Sequence, residues 1–147
     1  MKFVVYSRAV MQNVSPPEKA WGLISICEQG DFPEVYENEH LAGRLNLQFH
    51  DIDTYKNGEP EEEDRILFDE AFAVRVLDFV QALYEKDVSV IYIHCLMGRC
   101  RSAGIGAALD KVFNGDDAKY FGAGPYQPNM RVYRGVMEEC HKRGLIG

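Results

Sequence analysis

Val88-Ser89-Val90-Ile91-Tyr92-Ile93-His94-Cys95-Leu96-Met97-Gly98-Arg99-Cys100-Arg101-Ser102 is the stretch whose reading decides the fold. Residues 88–94 form a near-continuous apolar run of strand length, the mark of a β-strand buried on both faces. Residues 102–113 are rich in small and apolar side chains and read as a helix. Five residues separate Cys95 from Arg101, so the turn between strand and helix is tight. Strand, short loop, helix is the arrangement in which backbone N–H groups converge and the helix dipole favours negative charge.

The residue types in that loop point to chemistry on an oxyanion. The Cys95 sulfur gains from the same field and is expected to be a thiolate at neutral pH. The planar fork of Arg101 suits two oxygens of a phosphoryl group. Gly98 lets the loop turn where a Cβ would obstruct it, and Ser102 is placed to donate a hydrogen bond to the sulfur. His94 reads as a brace for the Cys95 backbone rather than a general base, because a thiolate has no proton to lose. Arg99 and Cys100 stand at variable loop positions. Arg99 is either a second anion contact or a solvent-facing charge, and Cys100 is the one nearby partner for a disulfide with Cys95.

Moving outward, residues 3–7 are a short β-rich run, and Ser15-Pro16-Pro17-Glu18 reads as the start of a helix with Ser15 as cap. Residues 22–27 are a compact apolar strand. Residues 45–49 alternate as Leu, Asn, Leu, Gln, Phe, a strand with one face inward. It runs into His50-Asp51-Ile52-Asp53. Residues 54–64 carry Gly58, Pro60 and a charge run, the composition of a solvated loop. Phe68, Phe72, Val76, Val80 and Leu83 then recur at helical spacing. After the 102–113 helix, Asn114-Gly115-Asp116 stops the chain, and a last helix is predicted over 129–142, closed by Gly144.

Strand and helix patterns alternate from 45 to 113, which requires parallel strands and right-handed crossovers. The expected architecture is α/β: one domain over 1–147, with a central, mostly parallel sheet of about four strands flanked by helices on both faces. A chain of 147 residues with 46 % apolar content can build such a core without disulfides. Cys27 and Cys140 accordingly read as reduced packing residues. Sixteen Lys and Arg against 23 Asp and Glu leave a net charge of -7, and no basic run offsets it, so general nucleic-acid binding is not expected. No stretch approaches the roughly 20 apolar residues of a membrane span, and the start lacks a signal-peptide pattern; a cytoplasmic setting is the expectation.

The loop matches HCxxGxxR[ST], the signature of the cysteine-dependent protein tyrosine and dual-specificity phosphatase superfamily. The resemblance extends over about 21–133: a strand leading to an Asp, a long helix, the signature, and a late helix holding Asn and Tyr. It is similar to small bacterial or phage tyrosine-phosphatase-like proteins. The resemblance implies that Cys95 is the nucleophile and becomes a phosphocysteine. Arg101 then binds phosphate together with the N–H groups of Leu96, Met97, Gly98, Arg99, Cys100 and Arg101, Ser102 assists hydrolysis of the intermediate, and no metal or organic cofactor takes part. Its substrates would be phosphorylated proteins or small phosphomonoesters.

Departure of a monoester's leaving group near neutral pH needs a carboxylic acid to protonate it. Asp51 is favoured, because Phe49-His50-Asp51 looks like a Phe-x-Asp pattern of some relatives. Register with other dual-specificity members favours Asp53, and Asp64 is a third choice. Tyr126, Asn129, Arg131 and Tyr133 are expected near the mouth of the site or in ordinary capping and packing roles, and Tyr55 is a minor candidate for contact with an aryl group. Two rival readings stand beside hydrolysis: a phosphate-recognition module with little turnover, and a thiol redox reaction such as arsenate reduction that uses Cys100.

Overall fold

The computed structural model describes residues 1–53 and 65–146; the expectations for Tyr55 and Asp64 lie outside these residues. The described elements are β1 (Lys2–Ser7), α1 (Arg8–Met11), β2 (Trp21–Cys27), β3 (Leu41–Gln48), α2 (Glu70–Glu85), β4 (Val90–Cys95), α3 (Arg101–Asn114), α4 (Ala118–Phe121) and α5 (Met130–Lys142). The four strands pair in the order β1-β4-β2-β3, all parallel. The 88–94 run is thus an interior strand, consistent with its continuous apolarity.

Alternation along each strand divides the core in two. Phe3, Val5, Ile24, Ile26, Leu47, Ile91 and Ile93 face the three long helices and pack on residues such as Val76, Val80, Ile105 and Val136. On the opposite face, Trp21, Leu23, Val90 and Tyr92 are covered by Met11 of α1 and by Val14 and Val35 from non-helical segments. Helices therefore flank both faces, but one face carries nearly all of the helical mass. Trp21 is fully buried and its indole N–H donates to Asn38 Oδ1 at 2.9 Å, which leaves no polar atom stranded.

Ser15 does not start a helix. Ser7 caps the helix instead, accepting from the Val10 N–H at 3.1 Å, and residues 14–17 run without regular structure. Tandem prolines disfavour the α region in the residue before each of them, which biases Ser15 and Pro16 away from helix. β3 starts four residues before the alternating run, at Leu41; Gly43 and Arg44 hide this part from the apolar pattern, and the register with β2 shifts between Trp21 and Gly22. Phe68 lies before α2 rather than in it. Asp69 caps that helix, and Phe68 meets Phe49 edge-on and stacks on Phe72. α4 has only four residues, too few to leave a periodic trace in the sequence; Tyr120 anchors it through a 2.6 Å hydrogen bond to Asp110. No helix among the described residues is long and apolar enough to cross a membrane.

Candidate active site

The parallel sheet brings the C-terminal ends of three strands to one edge. Ser7 lies opposite Cys95 across β1 and β4, and Ser25 lies opposite His94 across β2 and β4. Open parallel sheets carry their ligand sites outside this edge. Residues 96–100 form the loop that leaves it for α3.

The loop is fastened by its carbonyls. Leu96 O accepts from Arg8 N–H at 3.2 Å and Arg99 O from Gln127 N–H at 2.8 Å. Cys100 O accepts from both Gly104 and Asn129 N–H at 2.9 Å. Among the described residues, no backbone N–H of residues 96–100 donates to another protein group, and no side chain caps the start of α3. Loop N–H groups without a protein partner at a helix start are the kind of donors that can receive an anion. Gly104 permits this closeness, since a Cβ there would stand 2.8 Å from the Asn129 carbonyl.

Gly98 is required twice over. Its φ is +67°, and a Cβ would lie 2.5 Å from Ser7 N and 2.6 Å from the Tyr6 carbonyl carbon. Neither is a flexible side-chain end that can swing away. Gly98→Ala is therefore expected to destabilise the chain by on the order of 2–4 kcal/mol, from left-handed strain plus the clash with β1. Urea denaturation checks it. A loss below 0.5 kcal/mol, the ordinary scatter of surface substitutions, would mean that the loop does not bear on β1 in this way.

The chemistry-bearing residues converge on this loop. Cys95 is 2 % exposed, and its Sγ lies 3.0 Å from Ser102 Oγ. Arg101, 5 % exposed, donates through Nη1 to the Phe49 carbonyl at 3.0 Å and lies 3.7 Å from Glu28. A cavity of about 230 Å³ beside the loop is lined by Arg8, Cys27, Glu28, Leu96 and Arg101 among others. Leu96 and Met97 are the exposed apolar rim, at 61 % and 64 %. Arg99 reaches sideways to the Pro125 carbonyl at 3.2 Å.

His94 is fully buried, with Nε2 2.6 Å from Ser25 Oγ. Burial pushes its pKa down to about 4; the Cys95 backbone opposes that shift, while the charges of Arg44, Arg8 and Arg101 reinforce it. Nδ1 is buried beside the Cys95 backbone without a hydrogen bond of ordinary geometry. The histidine is thus a neutral group at physiological pH. Ser25, Arg44 and Glu28 were not singled out by sequence reasoning. Ser25 sits inside an apolar run, and nothing local marks the other two.

The two aspartates part company after β3. Asp51 is exposed and accepts from Asn129 Nδ2 at 2.8 Å, while Asn129 Oδ1 caps α5 through the Val132 N–H. The carboxylate also adjoins Cys100, whose thiol pKa is raised by burial first and then by Asp51 and Cys95. Asp53 instead gives its carbonyl to Arg131 Nε at 2.9 Å and lines a cleft of about 500 Å³ with Phe68, Arg134, Gly135 and Glu138. That cleft, though larger, has no loop residue in its described lining. Asp53 Oδ1 is buried with no partner among the described residues. Tyr126 donates to the Val5 carbonyl and Tyr133 to Asp117, so neither hydroxyl is aimed at the loop. All four cysteines are free thiols. Among the described residues no group of three or more His, Cys, Asp or Glu is arranged to hold a metal ion.

This four-stranded parallel sheet with its helices has the fold seen in solved structures of tyrosine phosphatase-like and dual-specificity phosphatase proteins. Among solved structures, PTPMT1 in complex with PI(5)P matches 97 % of this chain and 94 % of its own, at TM-score 0.58 and 15 % identity. The human tyrosine phosphatase-like serine/threonine/tyrosine-interacting protein matches 94 % of this chain and 84 % of its own, at TM-score 0.54 and 16 % identity. Human DUSP28 matches 96 % and 94 %, at TM-score 0.54 and 13 % identity. No protein-family model and no curated protein sequence matches the chain.

Proposed function

We propose that this chain hydrolyses phosphate monoesters, in particular phosphotyrosine or phosphoserine/threonine of proteins, through a phosphocysteine at Cys95. The observation that supports the reading is the Cys95 sulfur 3.0 Å from Ser102 Oγ, at the start of a loop whose N–H groups have no partner among the described residues and which ends in Arg101 at the helix start. In the first step the sulfur attacks phosphorus and the ester oxygen leaves with a proton. The loop N–H groups and the guanidinium hold the three equatorial oxygens as charge spreads over them. In the second step water attacks the phosphocysteine, and the Ser102 hydroxyl donates to the departing sulfur.

Asp51 is the proposed acid. Its contacts with Asn129 and with Cys100 of the loop support this choice, whereas Asp53 lines a separate cleft. The same carboxylate, once it has given up its proton, takes one from the attacking water. Asp51→Asn is expected to lower kcat by about 10²-fold for a poor leaving group and much less for a good one. Asp53→Asn should stay within threefold of the wild type. A larger loss in Asp53→Asn than in Asp51→Asn would reverse the assignment.

Rapid-mix kinetics with an aryl phosphate tests the proposal as a whole. A burst of phenol, followed by slower steady release of phosphate, with label trapped on Cys95 by acid quench, is the expected result. Stoichiometric binding without phosphate release would identify a recognition module instead.

A further inference from the structure

His94 is the middle of a polar chain that crosses three strands. Arg44 of β3 places Nη2 3.3 Å from Ser25 Oγ of β2, and Ser25 Oγ lies 2.6 Å from His94 Nε2 of β4. The strands are in register for this: Leu23 pairs with Arg44, and Ser25 pairs with His94. Arg44 is itself held, with Nε 2.8 Å from Asn46 Oδ1 and Nη2 2.9 Å from the Pro33 carbonyl.

Hydrogen-bond bookkeeping then leaves one arrangement. A guanidinium only donates, and a serine hydroxyl carries a single proton. Arg44 uses the Ser25 oxygen as acceptor, so the serine proton has only Nε2 to go to. Nε2 is therefore bare, and a neutral imidazole must carry its proton on Nδ1, the nitrogen beside the Cys95 backbone. The opposite tautomer would aim Nε2–H and the guanidinium at one oxygen and strand the serine proton. Ser25 and His94 are both fully buried, so a stranded serine proton has no water to turn to, whereas a proton on Nδ1 faces the Cys95 backbone, whose contact favours a protonated ring.

We propose that Arg44, acting through Ser25, locks His94 with its proton on Nδ1, facing the Cys95 backbone, and so sets how reactive the Cys95 sulfur is. Arg44 and Ser25 are positioning residues, since neither touches the loop. The bearing on catalysis rests on the phosphatase reading; the tautomer does not. Among the described residues, the other charged or titratable groups around the loop include Arg8 of α1, Cys27 and Glu28 at the end of β2, Asp31, Asp51 after β3, Arg99 and Cys100 in the loop and Arg101 of α3. Arg8 is paired with Asp31, and Arg101 with Glu28.

Two readouts that need no substrate test it. Long-range proton–nitrogen spectra of the histidine ring report which nitrogen of His94 is protonated. Alkylation of Cys95 by iodoacetamide at pH 6, followed by mass spectrometry, reports how reactive the sulfur is. The wild type should show a protonated Nδ1 and a bare Nε2. In Arg44→Met the ring should shift toward the opposite tautomer, and alkylation at pH 6 should slow about three- to tenfold. Arg44→Lys keeps a donor toward Ser25 and should restore most of both. A wild-type ring protonated at Nε2 would overturn the inference without any variant being made. So would an Arg44→Met protein with unchanged ring and alkylation rate. A ring with the expected tautomer in a chain that releases no phosphate would sustain the inference and remove the phosphatase reading.

Discussion

Cys95→Ser is expected to lose aryl phosphate hydrolysis by a factor on the order of 10⁴ or more, the scale on which removal of an enzymatic nucleophile acts. The reason lies in what surrounds the position. A serine hydroxyl must lose a proton before it can attack, and no neighbour is placed to take it. His94 is neutral, but its Nε2 already engages the Ser25 hydroxyl. Ser102, 3.0 Å from the sulfur, supplies a donor where a base would be needed. Anion binding should survive, because the loop N–H groups and Arg101 are untouched. The fold should survive as well, since serine is slightly smaller than cysteine and its hydroxyl can bond to Ser102. The measurement pairs steady-state phosphate release with calorimetric binding of inorganic phosphate. Lost turnover with binding within a few-fold of the wild type is the expected outcome. Turnover within tenfold of the wild type would place the nucleophile elsewhere.

The readability of this chain from its sequence follows the range of the interactions involved. The strand, loop and helix around Cys95 are encoded by contiguous residues: an apolar run, a glycine forced into the left-handed region, and a small-residue helix. Local chemistry suffices to read them. Long-range placement was not readable. Nothing in residues 2–7 says that they pair with β4 rather than β2, which is what brings Ser7 and Tyr6 against Gly98. The Arg44–Ser25–His94 chain joins residues 19 and 69 positions apart, and each residue looks ordinary in its own neighbourhood. Ser15-Pro16-Pro17 shows the opposite failure: sound capping chemistry, read without the bias that tandem prolines impose against helix. Asp51 and Asp53 could not be ranked by any local string. Only the distant partners Asn129 and Arg131, each 78 positions away, send them to different clefts.

Arg101→Lys retains the positive charge, yet it is expected to lower kcat/KM by about 10²- to 10³-fold, comparable to removing one preorganised donor set from a transition state. The guanidinium is oriented before any substrate arrives. Nη1 donates to the Phe49 carbonyl at 3.0 Å, and that carbonyl is fixed in turn: the Phe49 N–H bonds to the Cys27 carbonyl at 3.1 Å and its ring packs on Phe68 and Phe72. One corner of the fork is used for alignment, which leaves the rest of the plane to meet two phosphoryl oxygens together. A lysine ammonium has one nitrogen. If it bonds to the Phe49 carbonyl it is drawn away from the phosphoryl group, and if it turns to the phosphoryl group it leaves a buried carbonyl without its donor. Glu28, 3.7 Å from Nη1, competes further for a flexible ammonium but only steadies a fixed fork. The loss should therefore appear in kcat as well as KM, and added phosphate should inhibit the variant less strongly than the wild type. Urea midpoints separate this from unfolding. A loss below fivefold in a folded Arg101→Lys protein would show that charge alone suffices, and that the planar geometry held by Phe49 does not contribute to the reaction.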